Sequence, residues 1–368
     1  MDIESVLILT GDAGAGHMSC SNALKKAFER KFPKVNVEIV DVFQFTPFSR
    51  KYDWILTIVT KSALAKFIFD FIYKLIDSSK FFSNIGYFFI LKRIYKPTLD
   101  TIQHTKADLV IANNPLVSEV VTKCRREIDF KYIVTVTDIG SVSRWWASDN
   151  ADMIFSPTTQ TTERLLRFCP SCKIVTGYYS LRNVEKFSEE EIYKERVSFC
   201  KKASFNFSEP IILITGSGIS TVKIFKKIQH FIKKSKYQFI ILTGRDIKLE
   251  KSLREQFSEN KRIFVQGFTD EILTFFSIAD VIIAKPGANT VLEIEKLGKR
   301  AIFTDTVGYQ ESGNVDYLKE NPNFVYVGDE YSRVPDEIEK MLKKEVEIAE
   351  ERIKDANGIV EEISLADL

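Results

Sequence analysis

The stretch "VLILTG" (residues 6–11) has a close copy later in the chain, "IILITG" (residues 211–216). Each is an unbroken apolar run that ends at a glycine, which is typical of a parallel β-strand covered on both faces. Each is followed by small residues and then by an amphipathic helical pattern. A third copy of the turn, "FIILTG", ends at Gly244. The repeat predicts two domains that begin in the same way.

Short apolar runs alternate with helical patterns along both halves of the chain, which predicts an α/β protein with two doubly wound, Rossmann-like domains facing across a cleft. Ligands of such folds bind beyond the carboxyl ends of the strands. We predict an N-terminal domain at 1–182, a C-terminal domain at 183–350, and a helix end and tail at 351–368, with one charged helix over about 334–356. The further predicted strands are 35–41, 108–112, 131–137, 152–155, 173–176, 210–215, 238–242, 262–265, 280–284, 300–304 and 323–327.

The composition is that of a globular protein, with 45% hydrophobic and 28% charged residues. A net charge of +2 argues against a chain built to bind nucleic acid. The N-terminus enters a strand without a signal-peptide pattern, and no uncharged apolar run reaches the roughly 20 residues of a membrane span. We therefore expect a cytosolic protein, or one that sits on a membrane without crossing it.

The five cysteines include one C-x-x-C pair, Cys169 and Cys172. This pattern is used in zinc half-sites and in redox pairs, but no second pair or nearby histidine follows, and the pair closes a helix instead of opening one. We expect ordinary thiols in a reducing compartment.

The loop "GDAGAGHMSC" (11–20) has the glycine spacing of a phosphate loop, with Gly11 and Gly16, but His17 and Met18 stand where the lysine and hydroxyl belong. A histidine titrates near neutral pH, so it can accept a proton that a lysine could not. We predict that His17 is a catalytic base; the alternative is a helix N-terminal residue that packs on a turn.

Asp138 ends the strand "YIVTVTD" (132–138), where a carboxylate is well placed for a ligand. It can assist His17 or act as the base itself, and a cap or turn residue is the alternative. The other two histidines, His104 and His230, lie in ordinary helical contexts and are predicted to be structural.

Four loops of the second half contain glycine and follow strands: "TGSGIS" (215–220), "TGR" (243–245), "QGF" (266–268) and "AKPGANTVLEI" (284–294). Backbone N–H groups at such helix starts can hold a phosphate. Thr290 adds a hydroxyl to a first helical turn, and Glu293 offers a carboxylate that can accept from ribose hydroxyls. Together the loops predict a nucleotide site.

The segment "AKPGANTVLEIEKLGKRAIFTDTVGYQESGNVDYL" (284–318) resembles the donor-site signature of family 28 glycosyltransferases. The likeness is strongest to the lipid-acting branch, which contains monogalactosyldiacylglycerol synthases and processive diacylglycerol glucosyltransferases. "GDAGAGHMSCSNAL" (11–24), "VTVTDIGSVSRWW" (134–146) and "TGYYSLRNVEKF" (176–187) match in order and spacing, so the resemblance spans roughly residues 5 to 325.

The resemblance implies a GT-B fold with the nucleotide sugar on the C-terminal domain and the acceptor on the N-terminal one. It also implies inversion at the anomeric carbon without a metal. By position, Gly216–Gly218 would meet the diphosphate, the Phe268 backbone the uracil, and Glu293 the ribose, while Gln310 and Glu311 would bind sugar hydroxyls. The complete predicted donor site is Gly216, Ser217, Gly218, Thr243, Arg245, Phe268, Pro286, Gly287, Ala288, Thr290, Glu293, Gln310, Glu311 and Asn314. The predicted acceptor and phosphate loop is Gly14, Ala15, Gly16 and Trp146.

Two features depart from the family pattern. The lipid-acting relatives usually carry a histidine five residues after the aspartate, where this chain has Ser143. The first loop has Ala13 and Ala15 where relatives often have glycine. Both departures concern the acceptor and turnover more than donor binding.

The segment "KFIFDFIYKLIDSSKFFSNIGYFFILKRIYK" (66–96) is dense in aromatic residues. Over 45–100 there are nine Lys and Arg against four Asp, a net charge of +5. Aromatics at helical spacing with lysines between them are typical of a helix that lies in a membrane interface and meets anionic lipids. The alternative is a helical insertion packed in the core. The predicted membrane residues are Lys66, Lys74, Phe81, Phe82, Phe88, Phe89, Lys92 and Arg93.

These observations predict a peripheral enzyme on the cytoplasmic side of the cell membrane that moves a hexose from UDP-galactose or UDP-glucose to diacylglycerol. No cofactor and no metal is expected beyond the UDP-sugar donor. Three alternatives stay open: transfer to another lipid such as an undecaprenyl-linked muropeptide, a UDP-GlcNAc 2-epimerase, and a non-catalytic protein that binds UDP-sugar or lipid.

Overall fold

The chain folds into two compact units in a computed structural model. The structure describes residues 3–11, 16–45, 63–216, 219–304, 306, 312–347 and 352–366. The first unit comprises Met1–Asn183, Val307–Asn314 and Glu351–Leu368, and the second comprises Val184–Thr306 and Val315–Glu350. Each unit holds one six-stranded sheet in which all the strand pairs are parallel, as the alternating pattern predicts.

The first sheet has the strand order β2-β1-β3-β4-β5-β6, so its order reverses between β1 and β3. Its strands are β1 (Ser5–Thr10), β2 (Asn36–Asp41), β3 (Leu109–Ala112), β4 (Lys131–Thr135), β5 (Met153–Ser156) and β6 (Ile174–Thr176). Leu9 pairs with Ala112, and Ala112 pairs with Val134. The residues that follow these three strands therefore leave the sheet side by side.

The second sheet has the order β12-β11-β10-β7-β8-β9, so its order reverses between β7 and β10. Its strands are β7 (Ile211–Ile214), β8 (Gln238–Leu242), β9 (Ile263–Gln266), β10 (Val281–Ala284), β11 (Ala301–Thr304) and β12 (Phe324–Gly328). Every strand predicted from the sequence is present in the two sheets, within one or two residues at its ends.

Helices cover both faces of each sheet. Those of the first unit are α1 (Gly16–Lys31), α2 (Ala63–Ser78), α3 (Lys80–Gly86), α4 (Lys92–Thr105), α5 (Pro115–Cys124), α6 (Thr159–Phe168) and α14 (Ala356–Leu365), with a π-helical turn at Tyr87–Leu91 and 3-10 turns at Val42–Phe45 and Arg144–Trp146. The others are α7 (Glu189–Ala203), α8 (Ile219–Lys234), α9 (Ile247–Gln256), α10 (Ile272–Ile278), α11 (Ala288–Lys296), α12 (Ser312–Leu318) and α13 (Val334–Lys343), with a 3-10 turn at Tyr331–Arg333.

The apolar strands of the first unit are buried on both sides. Leu7 and Leu9 face one core, which also takes residues of α4 and α5. Val6 and Ile8 face the other core, to which α1 and α14 contribute. This two-sided burial explains why the strand sequences are continuously apolar instead of alternating.

The prediction of a single charged helix over 334–356 is wrong. Helix α13 ends at Lys343, and Lys354 is held in extended backbone: its N–H donates to the Gly177 carbonyl at 2.8 Å, and its carbonyl accepts from the Tyr179 N–H at 2.9 Å. These backbone hydrogen bonds take the place of those that Lys354 would make within a continuous helix. The chain then forms α14, whose residues Ile359, Val360 and Ile363 are buried in the core with α1.

The structure joins Cys169 and Cys172 in a disulfide, with their Cα atoms 5.6 Å apart. The expectation of two free thiols is therefore wrong for this pair, because the turn after α6 brings both residues within bonding reach. The remaining cysteines, Cys20, Cys124 and Cys200, are buried thiols.

Candidate active site

His17 lies in the first turn of α1, beyond the carboxyl end of β1. Its Nδ1 atom is 2.9 Å from the main-chain oxygen of Asn113 and 2.9 Å from Oγ1 of Thr137. Asn113 follows β3 directly, and Thr137 lies two residues after β4. The ends of three adjacent strands thus converge on the predicted base. Of the predicted loop, Gly16 begins α1, whereas Gly14 and Ala15 lie outside the described residues.

Asp138 follows Thr137 and is half-buried. Its Oδ2 atom accepts a hydrogen bond from Nε1 of Trp146 at 2.7 Å. Trp146 was predicted for the acceptor loop, and the structure buries its side chain completely. The indole contributes to this region by holding the Asp138 carboxylate.

A buried carboxylate, Asp77, holds the loop that carries Trp146. Asp77 accepts from the Arg144 backbone N–H at 2.8 Å, from Oγ of Ser143 at 3.1 Å and from Nη2 of Arg164 at 3.2 Å. Burial raises the pKa of Asp77, and these hydrogen bonds and the Arg164 charge oppose that rise. Ser143, which stands where relatives usually have histidine, therefore caps the 3-10 turn and binds Asp77.

Ser312, Gly313 and Asn314 of the donor signature lie in the first unit, against the residues that follow Asp138. Ser312 and Ser141 share a hydrogen bond between their hydroxyls at 2.8 Å. Gly313 approaches so closely that an added Cβ would lie 2.1 Å from the Ser141 nitrogen, so only glycine fits. This contact fixes the position of Asn314, a residue of the predicted donor site that is itself buried. Gln310 and Glu311 lie outside the described residues.

The donor loops of the second unit lie along one sheet edge, because β10, β7, β8 and β9 are consecutive neighbours. Gly216 follows β7, Thr243–Arg245 follows β8, Phe268 follows β9, and Pro286–Thr290 follows β10. The parallel strands deliver all four loops to the same end of the sheet. Ser217 and Gly218 lie outside the described residues.

Side-chain contacts link these loops to one another. Oγ1 of Thr221, in the first turn of α8, donates to the Gly216 carbonyl at 3.1 Å and is 3.3 Å from the Leu242 carbonyl. The Arg245 guanidinium lies 5.0 Å from the centre of the Phe268 ring, and 54% of the Phe268 side chain is exposed. An exposed aromatic ring beside a cation suits the binding of a nucleobase and the phosphates attached to it through the ribose. Sequence reasoning did not identify Thr221.

Helix α11 starts at Ala288, with Gly287 in extended backbone at its N-cap and Pro286 buried before it. Thr290 lies in the first turn, as predicted. Glu293 follows three residues later on the same face and is only 3% exposed. A buried carboxylate beside a helix start is a strong acceptor for hydroxyl groups.

The aromatic segment presents a broad apolar face in the first unit. Phe81, Phe82, Phe88 and Phe89 are 68%, 36%, 55% and 76% exposed, so they are not packed in the core. Of the 19 large hydrophobic side chains exposed among the described residues, ten lie between positions 64 and 89 and form what we call the aromatic face: Leu64, Phe67, Ile68, Phe71, Ile72, Phe81, Phe82, Ile85, Phe88 and Phe89.

Cations border this face, and its inner side joins the core. Lys74, Lys92 and Arg93 are exposed, and Nζ of Lys92 lies 4.5 Å from the centre of the Phe88 ring. The side chain of Lys66 is not described. Ile76, Leu91 and Ile94 are buried in the core together with Trp145. None of the described helices combines the length and the apolar character needed to cross a membrane.

Two family models match the chain. The model of the glycosyltransferase family 28 C-terminal domain matches residues 211–359, and the model of monogalactosyldiacylglycerol (MGDG) synthase matches residues 17–171. The chain therefore contains a glycosyltransferase family 28 C-terminal domain and an MGDG synthase domain. The resemblance drawn from the donor signature is thereby confirmed, and the MGDG synthase match contains His17, Asp138 and the aromatic face.

Two relatives that align over most of the chain are named for glycolipid synthesis. A processive diacylglycerol beta-glucosyltransferase of Bacillus cereus (strain B4264) is 25% identical over 355 residues, 93% of this chain and 87% of the relative. Monogalactosyldiacylglycerol synthase 2, chloroplastic, of Arabidopsis thaliana is 22% identical over 390 residues, 98% of this chain and 81% of the relative.

The crystal structure of MurG from Acinetobacter baumannii is similar in fold. It aligns with a TM-score of 0.59 at 12% identity and covers 99% of this chain and 100% of its own. Together with the two doubly wound sheets, this likeness confirms the predicted GT-B fold.

Proposed function

We propose that this protein is an inverting glycosyltransferase that moves a hexose from a UDP-sugar to diacylglycerol and so makes a membrane glycolipid. The observation that carries the proposal is the match of residues 17–171 to the MGDG synthase model. That range starts at the candidate base and includes the exposed aromatic face. The two relatives compared above are named for glycosyl transfer to diacylglycerol.

The chemistry assigns one task to each unit. In the first unit, His17 takes the proton of the acceptor hydroxyl while the hydroxyl oxygen attacks the anomeric carbon and the bond to the UDP oxygen breaks. In the second unit, the loops after β7, β8, β9 and β10 bind the UDP-sugar. Backbone N–H groups at helix starts stabilise the charge that develops on the leaving diphosphate, so no metal or other cofactor is required.

Asp138 is the second candidate for the base. The Asp138 carboxylate accepts a hydrogen bond from Trp146, which fixes its orientation. Asp138 follows β4, whereas His17 follows β1, and β3 lies between these two strands. The assignment to His17 rests on its place in the glycine loop and on the neutral-pH titration of imidazole.

The exposed aromatic face would bind the membrane that contains the acceptor. Phenylalanines enter the boundary between head groups and acyl chains, and Lys74, Lys92 and Arg93 attract anionic lipids. We propose that the enzyme acts as a peripheral protein on the cytoplasmic side of the cell membrane.

A donor-consumption assay with vesicles tests the proposal. UDP-glucose and UDP-galactose are each offered with phosphatidylcholine vesicles that contain or lack diacylglycerol. We expect UDP release and a lipid-linked hexose only when diacylglycerol is present. UDP-GlcNAc consumption that yields its 2-epimer would identify the epimerase, and transfer only to an undecaprenyl-linked acceptor would identify the muropeptide alternative. Donor binding without turnover would indicate a binding protein.

A further inference from the structure

The imidazole of His17 is oriented by contacts at Nδ1. Two oxygen atoms lie within 2.9 Å of it: the main-chain oxygen of Asn113 and Oγ1 of Thr137. Oγ1 of Thr137 is also 3.4 Å from the same carbonyl oxygen, which places the three atoms in a triangle. None of these contacts involves a carboxylate.

The carbonyl oxygen decides which ring nitrogen carries the proton. A main-chain oxygen can only accept a hydrogen bond, so Nδ1 must be the donor at 2.9 Å. The Thr137 hydroxyl fits this arrangement, because it can donate to the carbonyl and accept from Nδ1–H at the same time. The opposite tautomer would set a nitrogen lone pair against the carbonyl oxygen.

The carbonyl is itself fixed by the residue that carries it. Nδ2 of Asn113 donates to the His17 carbonyl at 3.1 Å and to Oγ of Ser21 at 2.7 Å, and both Asn113 and Ser21 are fully buried. Thr137 is fixed separately, because its carbonyl accepts from the Tyr179 hydroxyl at 3.2 Å. The side chain of Asn113 thus holds the first turns of α1 in place, and its main-chain carbonyl orients the His17 ring.

We propose that Asn113 and Thr137 are positioning residues for His17. They keep the neutral ring protonated at Nδ1, so that Nε2 is the nitrogen that takes the acceptor proton. This inference rests on the proposed function for its catalytic consequence, but the tautomer itself does not depend on any reaction. A neutral carbonyl and a hydroxyl here do what a carboxylate does in other histidine sites: they fix the tautomer and the ring orientation.

Nitrogen NMR of the resting protein tests the tautomer directly. His104 and His230 are both exposed, so His104→Gln with His230→Gln leaves a folded chain whose one histidine is His17. With ¹⁵N-histidine label and a pH at which the ring is neutral, we expect a protonated-type Nδ1 signal and an unprotonated-type Nε2 signal. A protonated Nε2 would overturn the inference and leave the proposed function standing.

Matched substitutions at Thr137 test the link to catalysis. Thr137→Val removes the hydroxyl at nearly constant shape, and Thr137→Ser keeps it. We expect Thr137→Val to lower kcat by about 3- to 10-fold, the effect of one hydrogen bond, with unchanged UDP affinity and an unchanged melting curve. Thr137→Ser should restore kcat to within about twofold. Equal kcat in the valine variant and the wild type, or equal loss in both variants, would contradict the positioning role.

Discussion

The carboxyl edges of the two sheets are built differently. At the edge of the first sheet, side chains that can do chemistry are fixed by neighbouring groups: His17 by Asn113 and Thr137, and Asp138 by Trp146. At the edge of the second sheet, the loops contain glycine. The main groups that they offer to a ligand are therefore backbone N–H groups. The first edge suits proton transfer in a fixed geometry, and the second suits binding of a phosphate-bearing ligand.

In both sheets the strand order reverses next to the first strand, so the residues that meet there make the two edges different. In the first sheet the order reverses between β1 and β3, which puts the residue after β3, Asn113, beside the start of α1. In the second sheet it reverses between β7 and β10, which puts Gly216 beside the loop that begins α11. The same strand and glycine turn therefore meet a different neighbour in each unit.

Replacing the base should give the largest effect. His17→Ala is expected to lower the transfer rate by about 10²- to 10⁴-fold, the usual contribution of a general base. UDP affinity, measured by calorimetry, should stay unchanged, because the donor loops belong to the second unit. If Asp138→Asn is far more damaging than His17→Ala at equal UDP affinity, the carboxylate is the base.

Replacing the buried carboxylate of the second edge should act on binding. Glu293→Ala is expected to weaken UDP binding by about 1.5–3 kcal/mol, the scale of a hydrogen bond to a charged group. Glu295→Ala on the same helix is the matched control. Glu295 accepts from Tyr317 and Asn321, so this variant should lower the melting temperature and leave UDP affinity unchanged. Unaltered UDP affinity in Glu293→Ala would exclude the ribose assignment.

Replacing the cations that border the aromatic face should have a smaller effect for each residue. Replacing Lys66, Lys74, Lys92 and Arg93 with glutamine is expected to weaken binding to anionic vesicles by on the order of 1 kcal/mol per cation, and salt should weaken wild-type binding in the same way. Co-sedimentation with anionic and neutral vesicles measures this difference. Glutamine at the exposed Lys226, Lys227, Lys233 and Lys234 of α8 is the control and should bind like wild type.

Serine at Phe81, Phe82, Phe88 and Phe89 should lower binding to both kinds of vesicle and keep a cooperative melting transition, because these side chains are exposed. Loss of the transition would mean that the aromatic face is part of the core. Wild-type vesicle binding by both the glutamine and the serine variants would exclude the membrane role.

Chelation should have the smallest effect. Because backbone N–H groups stabilise the leaving diphosphate in the proposed reaction, EDTA is expected to leave the transfer rate of wild type and of Glu293→Ala unchanged. A rate that falls with EDTA and returns with a divalent cation would show that a metal shares this task.

Much of this architecture could be predicted because it is local in sequence. Apolar strands, glycine turns and the place of His17 are each visible within a few residues. Asn113, Thr137 and Thr221 were missed because their importance comes from strand register, which brings together residues that are about a hundred positions apart in the case of His17 and Asn113. Asp77 was hidden within an aromatic helical pattern. Helix α14 was missed because backbone hydrogen bonds between Lys354 and the residues that follow β6, Gly177 and Tyr179, interrupt a strongly helical sequence.

The double variant His17→Ala with Glu293→Ala tests the division of tasks most directly. If the first edge provides chemistry and the second provides binding, its transfer rate at saturating UDP-hexose should equal that of His17→Ala alone. Its UDP affinity should equal that of Glu293→Ala alone, because independent sites give additive effects. A transfer rate at saturating donor well below that of His17→Ala, or a UDP affinity well below that of Glu293→Ala, would contradict the account.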